Sequence, residues 1–298
     1  MKLIQKNGHA IRARDENGLD LSTQQIQQQP PFFGFVECKP TDSCDFLMFL
    51  GGTDDMVAAK FFYNKNYENG SLALWTKLSR SASAVLDIGA HTGVYSLAAA
   101  ANNPDLQIVS IEPVPQNISR LHLNIAANSF AKITPIQVLV TNKSGPREFQ
   151  FLNNPGYMTQ GGSVEAAPKH GYSIMTISGI AVDESLKFRD RKPNLIKIDT
   201  EGHEYAAIIG MEKLIKKTRP TMLIECNQEG TVQKLNTLKS LLDGYDIFVI
   251  DDASGLLTKV SKFDVYRNIV QQLVREKMNR FLVHRDGDHA KIIKEFQK

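Results

Sequence analysis

The fold of this chain is decided by the stretch Ala84-Val85-Leu86-Asp87-Ile88-Gly89-Ala90-His91-Thr92-Gly93-Val94-Tyr95-Ser96. Its apolar run, from Ala84 to Ile88, stops at a turn that contains two glycines, and small helix-forming residues follow from Leu97. This order of residues predicts a buried strand, a tight turn and a helix. In an open α/β sheet, a turn at the carboxyl end of a strand is where a nucleotide-like ligand binds.

The glycines of this turn, Gly89 and Gly93, allow a ligand to approach the backbone closely, because a side chain would block it. A dinucleotide-binding fingerprint would read G-x-G-x-x-G, and Asp87 stands in the place of its first glycine. The pattern Asp-x-Gly-x-x-x-Gly instead resembles motif I of S-adenosylmethionine (SAM) methyltransferases. His91 occupies a position that is often a third glycine, and histidine is enriched at positive φ, so the turn can form.

The composition is that of a soluble globular chain. With 298 residues, of which 42% are hydrophobic and 22% charged, it allows one large or two modest domains. The net charge of +3 is too small to indicate a nucleic-acid partner. The three cysteines suggest reduced thiols and no disulfide framework. We find no signal peptide and no apolar run as long as a membrane span, so we expect a cytoplasmic protein.

Three regions are expected along the chain. Residues 1–30 are polar and glutamine-rich, and are expected to form a weakly structured leader or a short appendage. Residues 31–83 regain aromatic and aliphatic side chains and are expected to pack on the core as an N-terminal extension, with helices over 54–65 and 71–79. Residues 84–298 are expected to form the SAM-binding domain with a C-terminal helix.

Strand-like and helix-like segments alternate after residue 84. Strands are predicted at 84–88, 106–111, 133–140, 195–199, 221–225, 246–250 and 281–284, and helices at 117–128, 205–217, 232–242 and 263–278. Residues 173–177 are predicted to pair back as a strand after a polar loop over 153–171, and loops of this length are usually functional or mobile. The alternation predicts an α/β fold with a doubly wound, mostly parallel sheet.

Two acidic residues lie near the carboxyl ends of the first two of these strands. Glu112 precedes Pro113, and an acidic side chain at this point can accept hydrogen bonds from both hydroxyls of a ribose. Asp87 can orient the backbone of the turn or receive the ammonium group of the methionine part of SAM. Contact with the ligand is therefore predicted for Glu112, whereas both roles stay open for Asp87.

A third signal is the run Leu195-Ile196-Lys197-Ile198-Asp199-Thr200-Glu201-Gly202-His203-Glu204. Its titratable groups follow an apolar strand, whose end faces the ligand crevice in such a sheet. The candidate catalytic residues are Asp199, Glu201 and His203. His203 is the candidate general base, Glu201 competes with it for this role, and Asp199 is expected to orient the donor methyl or the acceptor hydroxyl. A histidine titrates near neutral pH, whereas Glu201 would need a pKa raised by burial. Alternatively, one of Glu201 and Glu204 serves the N-terminus of the next helix. Since no second ligand set accompanies the cluster, we assign no metal.

Together these segments resemble the FkbM family of SAM-dependent methyltransferases. The resemblance rests on motif I, on Glu112-Pro113 and on the block from Ile196 to Glu204, and Tyr67-Glu68 resembles a Tyr/Trp-Glu pair that the family places before motif I. The family implies a Rossmann-like class I methyltransferase fold with seven strands, the last one antiparallel. It also implies methyl transfer to a hydroxyl, often of a sugar or polyketide-type acceptor.

The resemblance also implies roles for individual residues. The cofactor-binding residues that it implies are Glu68, Asp87, Gly89, Ala90, His91, Gly93, Glu112 and Asp199. Asp87 and the two glycines would line the methionine end of SAM, Glu112 would hold the ribose, and Glu68 would reach the cofactor from the N-terminal side. The chain departs from the family at His91, where members commonly have Asn, and at Thr200, where they usually have an aliphatic residue.

The leading interpretation is an O-methyltransferase that uses SAM and acts on a small-molecule or glycan acceptor. Two alternatives stay open. One is a nicotinamide-dependent oxidoreductase, which Asp87 in place of the first fingerprint glycine disfavours. The other is a protein that binds SAM without catalysis. Oxygen and nitrogen both stay open as the target atom, and the sequence does not indicate the oligomeric state.

Overall fold

Helices and strands alternate along most of the chain. The computed structural model describes residues 2–17, 20–152, 157–158, 162–164, 170–185, 188, 191–226, 229–263 and 279–296. Its helices are α1 (Leu3–Asn17), α2 (Thr23–Gln27), α3 (Met56–Asn64), α4 (Asn69–Ser79), α5 (Val94–Asn102), α6 (Pro115–Asn128), α7 (Glu204–Ile209), α8 (Glu212–Thr218), α9 (Glu229–Leu235) and α10 (Ala290–Phe296). Its strands are β1 (Phe32–Thr41), β2 (Cys44–Gly52), β3 (Ala84–Ile88), β4 (Gln107–Ile111), β5 (Ile133–Ile136), β6 (Leu139–Val140), β7 (Gly145–Leu152), β8 (Gly162–Val164), β9 (Tyr172–Ile180), β10 (Leu195–Ile198), β11 (Thr221–Glu225), β12 (Tyr245–Ile250), β13 (Leu257–Val260) and β14 (Asn279–His284).

The central sheet has eight strands in the order β13-β12-β14-β11-β10-β3-β4-β5. Five neighbouring strands of this sheet, β5, β4, β3, β10 and β11, are parallel to one another. Strand β14 inserts between β11 and β12 and runs antiparallel to both. This order contains the seven expected strands with the last one antiparallel, so the prediction of a doubly wound Rossmann-like sheet is confirmed. A short eighth strand, β13, joins the edge next to β12.

Strand β3 lies at the point where the order of the sheet reverses. The chain proceeds from β3 outward through β4 and β5, then returns to place β10 on the other side of β3. All five residues of β3 are buried, as expected for a parallel strand covered on both faces. A reversal of this kind opens a crevice at the carboxyl ends of the two neighbouring strands, where open α/β sheets bind ligands.

Apolar side chains form a core on each face of the sheet. One core contains Trp75, Leu97 and Ile108 and joins the N-terminal extension, which includes α4, to α5 and the sheet. The other contains Ile196 and Ile208, and it packs under α7, α8 and α9. The three cysteines, Cys38, Cys44 and Cys226, are buried and free, as predicted. The two covered faces fix the positions of the strand ends that form the crevice.

The N-terminal extension is a hairpin followed by two helices. Strands β1 and β2 pair antiparallel, and α3 and α4 form close to the two predicted positions. Helix α6 covers the open edge of β2, because Asn124, Asn128 and Arg120 hydrogen-bond to the backbone of Leu47 and Phe49. The division of the chain into domains stays a prediction.

The expectation of a weakly structured leader is wrong, because residues 3–17 and 23–27 form helices. Ala10 and Ile26 are fully buried, and Ser22 begins α2 with a capping box. The side chain of Asn7 binds both the N–H and the carbonyl of Phe33, at 2.9 and 2.8 Å. These few contacts dock a segment whose polar composition suggests disorder.

A second sheet of four strands, in the order β6-β9-β7-β8, follows β5. The predicted strand over 133–140 is wrong in this respect, since β5 ends at Ile136 and residues 139–140 join the second sheet. The prediction that residues 173–177 pair back is confirmed by the antiparallel pair of β7 and β9. Most of the loop over 153–171 lies outside the described residues, and its residues 162–164 form β8.

Two predicted helices differ from the observed ones. The helix over 205–217 is interrupted at Gly210 into α7 and α8, and the helix over 232–242 ends at Leu235. The helix predicted over 263–278 lies outside the described residues, except for Phe263. The polar tail contributes α10, which the sequence did not indicate. Within the described residues, no helix is long and apolar enough to span a membrane.

Candidate active site

A solvent-connected cavity lies at the carboxyl ends of β3, β4 and β10. Of the residues predicted for the site, its lining includes Asp87, Gly89, Ala90, His91, Glu112, Asp199 and Glu201. Among the described residues, Glu68, Gly93 and His203 do not line it. A crevice at this position of an open α/β sheet typically holds a small-molecule ligand. The structure thus brings most of the predicted residues to one place, whereas their individual roles stay predictions.

The glycine turn is left-handed at three positions. The φ angles are 78° at Gly89, 52° at His91 and 105° at Gly93, so His91 forms the turn as the sequence suggested. The N–H groups of Gly89 and Ala90 donate to the carbonyl of Ile111, which ties the turn to the neighbouring strand. The reason for the glycines differs from the expected one. A Cβ on Gly89 would meet the carbonyl of Asp199, and a Cβ on Gly93 would meet Leu121, so both contacts are with the protein itself.

Glu112 is the residue that connects the turn to the next helix. Its Oε2 accepts the N–H of His91 at 2.9 Å, and its Oε1 accepts from the N–H of Val114 and the side chain of Asn117 at 3.0 and 3.2 Å. Burial raises the pKa of this carboxyl to about 7, and the three hydrogen bonds oppose that change only in part. A carboxylate offers about four acceptor positions, so Glu112 keeps room for a further donor.

Asp87 lies at the floor of the cavity and is fully buried. Its Oδ2 accepts from the hydroxyl of Ser96 at 2.6 Å, and Ser96 in turn contacts Ser110 at 2.6 Å. Its Oδ1 has no hydrogen-bond partner among the described residues. Burial raises the pKa of Asp87, against the lowering effect of Lys197 and Ser96. A buried acceptor oxygen in a cavity wall is suited to a cationic donor from a ligand.

Lys197 is a site residue to which the sequence analysis gave no role. Its Nζ lies 2.6 Å from Oδ2 of Asp199 and 4.6 Å from the ring centre of Tyr95, and both neighbours also line the cavity. Burial lowers the lysine pKa, but Asp199, with Asp87 and other carboxylates behind it, raises the pKa above the usual value. The signal was present in the sequence, because a lysine within a buried strand needs an anionic partner.

The cluster after β10 divides into structural and cavity-lining residues. Glu204 accepts the N–H groups of Thr200 and Gly202, each at 3.0 Å, so it holds the backbone at the start of α7. This agrees with the alternative in which one of the two glutamates serves the helix terminus. Glu201 has a φ of 52° and lines the cavity. His203 contacts the hydroxyl of Thr141 through Nε2 at 3.1 Å, which places its ring away from the lining.

The N-terminal extension reaches the cavity through Tyr67. Glu68, which was expected to reach the cofactor, accepts from the hydroxyl of Tyr95 at 2.5 Å and from the side-chain amide of Asn279 at 3.0 Å. Tyr67 lies in the lining beside it, and burial with the nearby Glu68 raises the pKa of its hydroxyl well above the usual value. Glu68 therefore supports cavity-lining residues from behind.

Carboxylate oxygens of Asp199, Glu201 and Glu225 lie within 4.8 Å of one another. Glu225 ends β11 and was not among the predicted site residues. Carboxylates at this spacing repel one another, and a nearby cation offsets part of that repulsion. Lys197, which forms an ion pair with Asp199, is such a cation. The expectation that the chain holds no metal stays a prediction.

Comparison with known proteins gives a consistent result. Residues 87–251, more than half of the chain, match the family model described as the methyltransferase FkbM domain. The hexuronic acid methyltransferase AglP of Haloferax volcanii is 25% identical over 130 residues, which are 44% of this chain and 50% of that protein. The chain therefore spans about half the length of this curated relative.

Solved structures also resemble the chain. A methyltransferase FkbM from Methylobacillus flagellatus aligns with a TM-score of 0.45 and 17% identity, over 75% of this chain and 52% of that one. A SAM-dependent methyltransferase from Agrobacterium tumefaciens aligns with a TM-score of 0.43 and 10% identity, over 89% of this chain and 80% of that one.

Proposed function

The chain belongs to the FkbM methyltransferase family, and we propose that it transfers a methyl group from SAM to a hydroxyl oxygen of a sugar or another small-molecule acceptor. The observation that carries the proposal is the convergence of the glycine turn, Glu112 and Asp199 on one cavity at the reversal point of the sheet. That point is where open α/β folds bind nucleotide-like ligands.

The described residues fit the cofactor. Asp87 offers a buried oxygen without a hydrogen-bond partner among the described residues, which suits the ammonium group of the methionine part. Glu112 lines the cavity with an acceptor position to spare, which suits a ribose hydroxyl. Val114 and Leu139 add apolar surface close to Glu112, which suits the adenine ring.

Bound SAM would supply the methyl group: the acceptor oxygen would form a bond to the methyl carbon as the carbon–sulfur bond breaks, the sulfur would keep the electron pair of that bond, and the hydroxyl proton would pass to a base of the protein. The contribution of the protein is to align donor and acceptor and to accept the proton. Among the described residues, four carboxylates line the cavity, and since Asp87 and Glu112 are proposed to hold the cofactor, Asp199 and Glu201 are the ones we propose to take the proton. The contact of His203 with Thr141 disfavours it for this role.

A sugar acceptor is supported from two directions. The relative AglP is named for a hexuronic acid, and this is the ground for proposing a sugar here. The second sheet contributes Phe149, Gly162 and Val164 to the cavity wall, beside the polar groups of the central sheet. Aromatic and small apolar surface beside carboxylates offers both a stacking face and hydrogen-bond acceptors, as a sugar ring requires.

Mass spectrometry of cell extract incubated with the protein and methyl-labelled SAM tests the proposal. We expect a labelled, SAM-dependent product whose label sits on oxygen of a sugar-containing molecule. A label on nitrogen would overturn the choice of target atom. As an independent test, S-adenosylhomocysteine at 100 times its dissociation constant should stabilise the fold by about 2.7 kcal/mol. A thermal midpoint raised by NAD and not by S-adenosylhomocysteine would support the oxidoreductase alternative instead.

A further inference from the structure

Lys197 lies in the middle of the buried strand β10, between Ile196 and Ile198, and only 4% of its surface is exposed. Placing an ammonium group there costs free energy unless anions compensate for the lost water. Asp199 meets this requirement directly, with 2.6 Å between Nζ and Oδ2. Asp87, Glu68 and Glu225 surround the same ammonium group more distantly and favour its charged form. The lysine is therefore held as a cation.

The ammonium group is also fixed from its other side. Nζ lies 4.6 Å from the ring centre of Tyr95, the geometry of a cation–π contact. The Tyr95 hydroxyl donates to Glu68, and Trp75 packs edge-on against the same ring at 5.5 Å. The indole N–H of Trp75 donates to the carbonyl of Tyr95 at 2.9 Å. The ring that holds Lys197 in place is thus anchored in the N-terminal extension.

Asp199 needs such a cation because other acidic groups face it. Oxygens of Glu201 and Glu225 lie within 4.8 Å of Asp199. Glu112, Glu204 and the hydroxyl of Tyr67 also interact with it electrostatically. Nearby like charges favour the protonated form of a carboxylate, and a protonated Asp199 could not accept a proton from the acceptor. Among the described residues that line the cavity, Lys197 is the one lysine or arginine.

We propose that Lys197 is a positioning residue that keeps Asp199 ionised and directed into the cavity, and that Glu68 acts on the site through Tyr95 and this lysine. The inference rests on the proposed function, in which Asp199 acts on the donor or acceptor. It gives Glu68 a task other than contact with the cofactor. It also explains why a lysine stands two residues before Asp199 in a strand that is otherwise apolar.

The direct test is an NMR titration of Asp199 in protein labelled with ¹³C at the aspartate carboxyls, with Asp199→Asn to assign the resonance. In Lys197→Met, we expect the titration midpoint of Asp199 to rise by roughly 1–3 pH units, because an opposite charge at this distance is removed. Lys197→Arg should restore the midpoint. The control is Lys77→Met, because Lys77 makes the same two kinds of contact elsewhere, to Glu295 at 2.8 Å and to the ring of Phe296 at 4.8 Å.

An unchanged midpoint in Lys197→Met would overturn the inference, as would an equal rise in Lys77→Met. Calorimetry with S-adenosylhomocysteine separates this failure from failure of the proposed function. Wild-type protein that does not bind it contradicts the function, whereas binding with an unmoved midpoint contradicts only the role of Lys197. If Lys197→Met does not fold, the ¹⁵Nζ resonance of Lys197 in the wild-type protein serves. The chemical shift of this resonance should change with pH at the same midpoint as Asp199. A chemical shift that does not change with the titration of Asp199 also overturns the inference.

Discussion

The carbonyl oxygen of Asp199 occupies the position where a side chain on Gly89 would begin: a Cβ built on Gly89 would lie 1.6 Å from that oxygen. The contact follows from the pairing of β3 with β10, in which Ile88 faces Ile198 and the N–H of Asp199 donates to the carbonyl of Ile88. The carboxyl ends of β3 and β10, which form part of the site, are thus hydrogen-bonded to each other up to the last residue of β3. Glycine is required there so that Asp199 can stand directly beside the turn.

Gly89→Ala should therefore destabilise the fold and not only weaken ligand binding. The new Cβ meets the backbone, which cannot rotate away as a side chain would, and the φ of 78° adds strain. Gly171→Ala is the matched control, because Gly171 has a φ of 82° and no atom within 4 Å of its Cβ position. We expect roughly 1–2 kcal/mol of lost stability in the control from the left-handed backbone alone. Urea denaturation should show a clearly larger loss in Gly89→Ala, and equal losses would contradict the assigned contact.

Glu112→Ala should weaken the binding of S-adenosylhomocysteine by roughly 1.5–3 kcal/mol, the usual value for a hydrogen bond to a charged group. The variant also releases the N–H of His91 and the side chain of Asn117, so part of the loss will come from a looser turn. Asn117→Ala separates the two effects, because it removes a donor to Glu112 and keeps the carboxylate. Calorimetry should show a much smaller loss of affinity in Asn117→Ala. Wild-type affinity in Glu112→Ala would remove the ribose assignment.

The pH dependence of binding offers a second test of Glu112. Its pKa is raised by burial from 4.5 to about 7, so the folded protein without ligand favours the protonated form. The stability that this adds is fully present below about pH 4.5 and is lost as the pH rises through about 7. The ionised carboxylate is a stronger acceptor for a ribose hydroxyl than the protonated form, so affinity should increase, by at most about tenfold, between pH 6 and pH 8. In Glu112→Gln the increase should disappear, and an unchanged slope in that variant would assign it to another group.

The proton acceptor can be sought by comparing Glu201 with His203. Glu201 lines the cavity, whereas the ring of His203 contacts Thr141. Glu201→Gln should reduce turnover by roughly 10²–10⁴-fold if it accepts the proton, the usual contribution of general base catalysis. His203→Ala should stay within tenfold of wild type, with unchanged affinity for S-adenosylhomocysteine. Once the labelled product has identified an acceptor, initial rates decide between them, and the opposite pattern would return the role to His203.

Local patterns in the sequence were sufficient to predict most strands of the central sheet, which alternate with helices along the chain. The apolar run of β3 and its glycine turn predicted the strand, the turn and the opening of the cavity at the carboxyl ends of the strands. The acidic residues Glu112 and Asp199 were found because each follows a buried strand, and parallel strands bring such ends together. These features depend on neighbours in the sequence, so they could be predicted without coordinates.

The features that the sequence did not reveal depend on partners far away in the chain. The pairing of Lys197 with Tyr95, and of Tyr95 with Glu68, joins three separate segments. The split of the strand at Gln137 depends on the second sheet, whose strands come later. The roles of the glutamates after β10 also depend on backbone geometry, because Glu201 and Glu204 differ only in where the turn directs them. Composition likewise misjudged the leader, since a few specific contacts outweigh its polar average.

The docking of the leader provides the last prediction. Asn64, only 5% exposed, accepts the N–H of Leu21 at 2.9 Å and donates to the carbonyl of Leu21 at 2.8 Å. Asn128 makes the same pair of bonds to Leu47, at 2.7 and 2.8 Å. Each asparagine thus bonds both the N–H and the carbonyl of one residue, as the backbone of a paired strand would. Truncation to alanine leaves both backbone groups without this partner, so each variant should lose roughly 1–3 kcal/mol in urea denaturation.

Limited proteolysis then distinguishes the two asparagines. Asn64→Ala should expose the chain around Leu21 and accelerate cleavage between α1 and β1, because local opening there needs less free energy. Asn128→Ala, with a comparable loss of global stability, should leave that cleavage near the wild-type rate, since its partner lies in the hairpin. Mass spectrometry of the fragments identifies the cut. Equal acceleration in both variants would mean that the leader opens only when the whole domain unfolds, and wild-type rates in both would mean that Asn64 does not hold the leader.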